Sequence, residues 1–121
     1  MLRIAVDLDG TICETKKEGQ TYESVKPLPL AIKTLRKLKS EGYYIVIHTA
    51  RNMRTYSNNI GKVIAHQVPI ISKWLEDHNI PYDELVVGKP HVDYFIDDKG
   101  IPFTNWEDVY STLKQKETNH V

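Results

Sequence analysis

Residues 4–11 read Ile4-Ala5-Val6-Asp7-Leu8-Asp9-Gly10-Thr11. An apolar, partly β-branched run ends in two aspartates two positions apart, followed at once by Gly-Thr. The run has the composition of a strand. Two carboxylates at the end of a buried strand are expensive to bury without partners. A metal ion and a bound phosphate are partners that offset this cost, so the stretch points to a site with chemistry in it.

Outward from that strand, the chain alternates apolar runs with helical patterns. Residues 2–6 form the first predicted strand. Residues 14–26 are polar and read as a loop or flap. Leu28, Ala31, Ile32, Leu35 and Leu38 recur at helical spacing after Pro29, and Lys37, Lys39 and Gly42 suit a helix end. Residues 43–47 form a second strand, ending in His48-Thr49-Ala50-Arg51. A second polar stretch covers 52–61. Val63, Ile64, Gln67, Ile71, Trp74, Leu75 and His78 carry a helical period over 60–79, in which Pro69 must start a new helix or kink an existing one. Residues 85–87 and 94–96 read as third and fourth strands, the fourth ending in Asp97-Asp98. Thr104 or Asn105 can cap a last helix through Trp106, Val109, Tyr110 and Leu113.

This alternation predicts an α/β fold, a three-layer Rossmann-like arrangement around a mostly parallel sheet. Its 121 residues suit one domain over residues 1–115, with a polar, frayed tail at 116–121 and no large cap. In such sheets ligands bind beyond the carboxyl ends of the strands. Asp7, Asp9, Thr49, Lys89, Asp97 and Asp98 all fall there, which makes one candidate site out of scattered polar residues.

Composition excludes several classes. Sixteen basic residues balance sixteen acidic ones, so no basic nucleic-acid surface or polybasic membrane anchor is expected. No apolar run approaches the roughly 20 residues of a membrane span. One cysteine, Cys13, cannot form an internal disulfide, and no signal-peptide pattern precedes the acids at 7 and 9, so a cytoplasmic setting is expected. Cys13, Trp74 and Trp106 read as core. His48 and His91 have no metal-ligand company and read as structural. Lys16, Lys17 and Tyr22 of the flap read as solvated, and Arg54 as a surface charge.

The ordered set Asp7-Leu8-Asp9-Gly10-Thr11, Thr49 after an apolar strand, Gly88-Lys89-Pro90, and Asp97-Asp98 after Tyr94-Phe95-Ile96 resembles the haloacid dehalogenase superfamily of phosphotransferases. The first motif alone arises by chance in roughly one chain of this length in a thousand, so the ordered set carries the resemblance. Thr49-Ala50-Arg51 together with Gly88-Lys89-Pro90 and Ile96-Asp97-Asp98-Lys99 is similar to small phosphatases of capsule and surface-polysaccharide synthesis.

The resemblance implies a phosphomonoesterase of a small metabolite, a sugar or polyol phosphate. In it, Asp7 is the nucleophile that forms an aspartyl-phosphate, and Asp9 the general acid and base. Thr49 and Lys89 bind the phosphoryl group. Gly10, Thr11, Ala50 and Arg51 contact substrate, with Arg51 on a second anionic group. Mg²⁺ is held by Asp7, the carbonyl of Asp9, and Asp97, with Asp98 beside it; hard oxygen donors suit that ion. An acid two residues after the nucleophile favours hydrolysis or a phosphomutase over a transport ATPase. A receiver-like module or other non-catalytic phospho-ligand-binding domain is the rival, but a receiver carries its phosphoacceptor after the third strand, where this chain has Gly88-Lys89.

The chain departs from the family pattern between Lys89 and Tyr94. To reach the far side of the first strand it must return a strand length and shift three strands, a diagonal of roughly 21 Å. Six or seven extended residues reach about 20–25 Å, so the crossover closes only if nearly straight. With no cap, water exclusion falls to the two polar loops or to another subunit, and a homo-oligomer is expected.

Overall fold

The computed structural model describes residues 2–118. Three parallel strands, β1 (Arg3–Val6), β2 (Tyr44–Thr49) and β3 (Glu84–Val87), lie in the order β1-β2-β3. Helix α1 (Ala31–Ser40) joins the first two, α2 (Ile60–Asp77) the second and third, and α3 (Trp106–Thr118) closes the described chain. A short 3-10 turn at Tyr22–Ser24 lies in the flap.

The ladder aligns Ile4 with Ile45, Val6 with Ile47, and Ile47 with Leu85. Paired residues share a face, so these side chains form one apolar surface. Ile45 and Ile47 are fully buried there with Leu35 and Leu38 of α1 and Ile71 and Leu75 of α2. The opposite face carries Arg3, Ala5, Tyr44, Val46, His48, Glu84 and Val86, and none of them is buried.

Helix ends follow local chemistry. The Asn59 side chain accepts from the Lys62 amide at the start of α2, and Asn105 accepts from Asp108 at the start of α3, as expected for one of its two candidate caps. Helix α2 runs through Pro69 as one element, so Pro69 starts no new helix. Pro69 is exposed, and so is Ala65 one turn before it, so the carbonyl that loses its partner can turn to water. Trp74 and Trp106 are core, as expected, and Cys13 is fully buried. Helix α3 continues through residues 116–118, where a frayed tail was expected; the rest of that tail, 119–121, lies outside the described residues.

The predicted fourth strand does not form. Residues 88–105 hold no helix or strand, and Tyr94, Phe95 and Ile96 are exposed. The Lys89 amide donates to the Thr49 carbonyl at 3.1 Å, which fixes the start of the segment at the far side of the sheet from the open edge of β1. Too little chain then remains for a parallel crossover, which normally takes a dozen or more residues.

Asp83 staples the sheet to α1. Its carboxylate accepts from the Ile45 amide at 2.8 Å and from Lys39 Nζ at 2.6 and 2.7 Å. Lys39, then the Ile45 amide, hold this carboxyl below its ordinary range. A depressed acid contributes stability above its unfolded pKa of about 3.9 and loses it as pH falls through the lower folded value. Asp83→Ala is therefore expected to melt a few degrees below wild type at pH 7, with the gap narrowing below about pH 4. Melting curves over that pH range check it; a gap that is constant with pH refutes it.

Candidate active site

The sheet's carboxyl end gathers Asp7, Asp9, Thr49, Arg51 and Lys89. After Val6 the chain leaves β1, and the amides of Thr11, Ile12 and Cys13 all turn back onto the Leu8 carbonyl. Gly10 sits at φ +82°, a conformation that favours glycine, and so permits that tight turn. Leu8 points into the core, leaving Asp7 and Asp9 on its two sides at the rim.

Asp7 Oδ1 lies 3.8 Å from Lys89 Nζ. Burial pushes the Asp7 carboxyl above its ordinary range; the Lys89 charge and the Leu8 amide oppose this, and Asp9 adds to it. His48 aligns with Asp7 by ladder register, one step beyond the Val6–Ile47 pair. Burial and then the Lys89 charge hold its pKa below the usual value, with Asp7 acting the other way, so it is neutral at pH 7. The sequence reading gave His48 a structural role. Parallel pairing of residues 4–6 with 45–47 is the signal that places it beside Asp7.

Asp9 is held by Arg51. The guanidinium donates through Nε to Oδ2 at 3.0 Å and through Nη2 to Oδ1 at 2.8 Å, a two-pronged fork. Arg51 is buried, stacks on the Tyr22 ring at 4.2 Å and reaches Gln67 Oε1 at 3.5 Å. Tyr22 OH in turn donates to Asn52 Oδ1 at 2.9 Å, joining the flap to the second polar loop. This corrects two expectations. Arg51 is spent on Asp9 inside the protein, where a contact to a second anionic group of the substrate was expected. Tyr22 is packed against it, where a solvated side chain was expected. Gln67 was legible as the one polar residue on the buried stripe of α2; nothing local announced Tyr22.

Thr49 is buried, its Oγ1 accepting from the Arg51 amide at 3.1 Å and its carbonyl from Lys89. Ala50 accepts from the Met53 amide. Gly10 and Thr11, expected to contact substrate, donate their amides to the Cys13 and Leu8 carbonyls, and the Thr11 carbonyl accepts from Trp106 Nε1 at 2.8 Å. The Thr11 amide shares the Leu8 carbonyl with those of Ile12 and Cys13, and the Gly10 amide closes the turn onto the Cys13 carbonyl. Burial, then Asp9, push the Cys13 thiol up to about 12, so it is no nucleophile.

Asp97 and Asp98 are exposed and do not join this group. Asp97 Oδ1 accepts from the Lys99 and Gly100 amides at 2.8 and 2.6 Å, which holds its carboxyl below the ordinary range. Among the described residues no cluster of three or more metal-ligating side chains exists. The cause is the missing fourth strand, whose end these residues were expected to occupy.

The donor set nevertheless fits a hard cation in part. Among the described residues the Asp9 carbonyl accepts no hydrogen bond, and Asp7, two positions before it, keeps a partly exposed carboxylate. Two oxygen donors of this kind suit Mg²⁺ and leave room for waters and a third carboxylate.

A family profile described as haloacid dehalogenase-like hydrolase matches residues 4–120. Among solved structures, the chain is similar to an MCSG target from Vibrio cholerae, with 40% identity over 96% of this chain and 99% of that one, and a TM-score of 0.78. It shares its fold with D,D-heptose 1,7-bisphosphate phosphatase from B. bronchiseptica, solved with magnesium and phosphate, at 14% identity over 98% of this chain and 64% of that one, with a TM-score of 0.50. No curated protein matches the chain significantly.

Proposed function

The chain belongs to the haloacid dehalogenase-like hydrolases, and from that premise we propose that it is a Mg²⁺-dependent phosphomonoesterase working through an aspartyl-phosphate on Asp7. The observation that carries this is the Asp7 carboxylate at the end of β1, 3.8 Å from the Lys89 ammonium and two residues from Asp9.

In the first step an Asp7 oxygen attacks phosphorus and the ester P–O bond breaks. Asp9 gives its proton to the leaving alkoxide. In the second, Asp9 takes a proton from water, which attacks the acyl phosphate and frees Asp7. Lys89 offsets phosphoryl charge and orients Asp7. Bound Mg²⁺ supplies charge neutralisation that lets a carboxylate meet a phosphate dianion; Asp7 and the Asp9 carbonyl would hold it, with a third carboxylate from outside this group. Both Asp9 oxygens are engaged by Arg51, so the fork must open before Asp9 passes a proton.

The substrate class is a small sugar or polyol phosphate of polysaccharide synthesis, on the likeness of the motifs at Thr49-Ala50-Arg51 and Ile96-Asp97-Asp98-Lys99. The setting is the cytoplasm, on the single buried thiol; no described helix is long and apolar enough to cross a membrane. A panel of phosphorylated sugars and polyols, read as phosphate release with Mg²⁺, tests the reading.

Chelation is expected to remove activity to background and added Mg²⁺ to restore it. Mg²⁺ is also expected to raise the melting temperature, since a ligand bound only by the native state stabilises it. Full activity in chelator refutes the metal role. One second reading has support: the closed Arg51–Asp9 fork suits a phospho-ligand-binding module. No phosphate release from any of the panel, with binding retained, selects it.

A further inference from the structure

Among the described residues, two elements with a free strand edge match each other. β1 is an edge strand of four residues with its outer side open. Residues 94–96 have the aromatic and β-branched composition of a strand, yet Tyr94 is 87%, Phe95 54% and Ile96 99% exposed, with Val92 at 51% close by. Those four side chains present on the order of 500 Å² of mostly apolar surface, at the upper end of what a monomer shows in one patch. An open strand edge and an exposed strand-forming segment are each a liability for a lone chain.

The segment cannot readily satisfy its own edge. Its start is held at Thr49, and only residues 90–93 remain to cross the sheet and return a strand length. A second copy removes that constraint, because its β1 can approach the segment where it stands. We infer that two copies exchange residues 92–98, so that Tyr94-Phe95-Ile96 of each pairs in parallel beside Ile4-Ala5-Val6 of the other and brings Asp97 level with the other's Asp7.

The two sequences have the same form, three apolar residues followed by aspartate. Exchange in both directions, counting the surface covered on each partner, buries roughly 2,000 Å², within the range of stable dimers. It is reciprocal and two-fold, so the exchange closes on itself at two copies and does not extend into a chain of them. Asp97 then stands about 5 Å from Asp7 across the new ladder. Like charges so placed repel unless a cation lies between them. The exchange thereby completes the donor set of Asp7 and the Asp9 carbonyl, and the dimer is tightened by Mg²⁺. This last point rests on the phosphatase reading; the exchange itself does not.

The test uses the whole chain with one new cysteine per copy, Ala5→Cys or Phe95→Cys, both positions being exposed. Cys13 is buried and inert to mild oxidation. The expected result is a disulfide-linked species of about 28 kDa, twice the 14.0 kDa chain, from the mixture and from neither variant alone. Sedimentation of wild type is expected to give the same mass, with tighter association in Mg²⁺. A wild-type monomer at micromolar concentration overturns the exchange. So does a chain carrying both cysteines that links to itself at monomer mass.

Activity then separates the two claims. Asp7→Asn and Asp97→Asn copies are each inactive, and refolding them together is expected to restore about a quarter of wild-type turnover, since half of random dimers hold one intact site of two. An active wild type with no restoration overturns the exchange and spares the phosphatase reading. An inactive wild type that still cross-links between copies overturns the phosphatase reading and spares the exchange.

Discussion

Asp7→Asn is expected to lower phosphate release by roughly a thousandfold or more and to melt at or above the wild-type temperature. The two effects have one origin. The nucleophile must be charged, but burial pushes its carboxyl above the ordinary range more than Lys89 and the Leu8 amide pull it down. A native pKa above the unfolded one means that the stabilising contribution exists at low pH and is lost as pH rises through the folded value. At neutral pH the charge therefore works against the fold, and the amide removes it. Lys89 is left without its partner, but its head is partly in water, so that loss is small. Phosphate release and thermal melts on the same sample check both halves. Near-normal hydrolysis ends the covalent route, and a clearly lower melting temperature refutes the charge argument.

Asp9→Ala is expected to cost about 3 kcal/mol, because it strands a buried guanidinium. Arg51 has only 3% of its side chain exposed, and Asp9 answers both of its forward-facing nitrogens. Gln67 and the Tyr22 face cannot replace a carboxylate. For a chain of this size the loss corresponds to roughly 10 °C in melting temperature. Adding Arg51→Met is expected to recover most of it, since the pair is then replaced by apolar packing. If Asp9→Ala melts like wild type, water reaches Arg51 and the fork contributes little.

The catalytic strand was legible because its signal is local: an apolar run, two acids and a glycine that the turn requires. Strands β2 and β3 and helices α1 and α3 were legible for the same reason, through apolar runs, periodicity and the cap at Asn105. The family could be read from four motifs in order, and the profile match over residues 4–120 agrees with it. The residues around Asp9 were not legible. Arg51 read as a contact to a second anionic group of the substrate, because nothing near it in sequence shows that Tyr22 and Gln67, 29 and 16 positions away, close over it. The fourth strand was over-read: composition alone makes Tyr94-Phe95-Ile96 a strand, but a strand needs a neighbour within reach, and the linker denies it one in the same chain. His48 was under-read because its importance lies in ladder register, not in its own surroundings.

The flap has a closed base. The Glu14 amide donates to the Lys26 carbonyl, the Lys26 amide to Glu14 Oε1, and Trp74 Nε1 holds the Val25 carbonyl at 2.9 Å. Its two ends are thus joined to each other and to α2, independently of what lies between them. Residues 15–24 are a replaceable cassette: loops of other length and composition can be grafted onto this hem, provided the ring of Tyr22 over Arg51 is kept. Diversification toward new phosphate esters has this short stretch of chain to work with beside the loop at 52–61, and Tyr22 is the point where such a graft would also reset the grip of Arg51 on the acid.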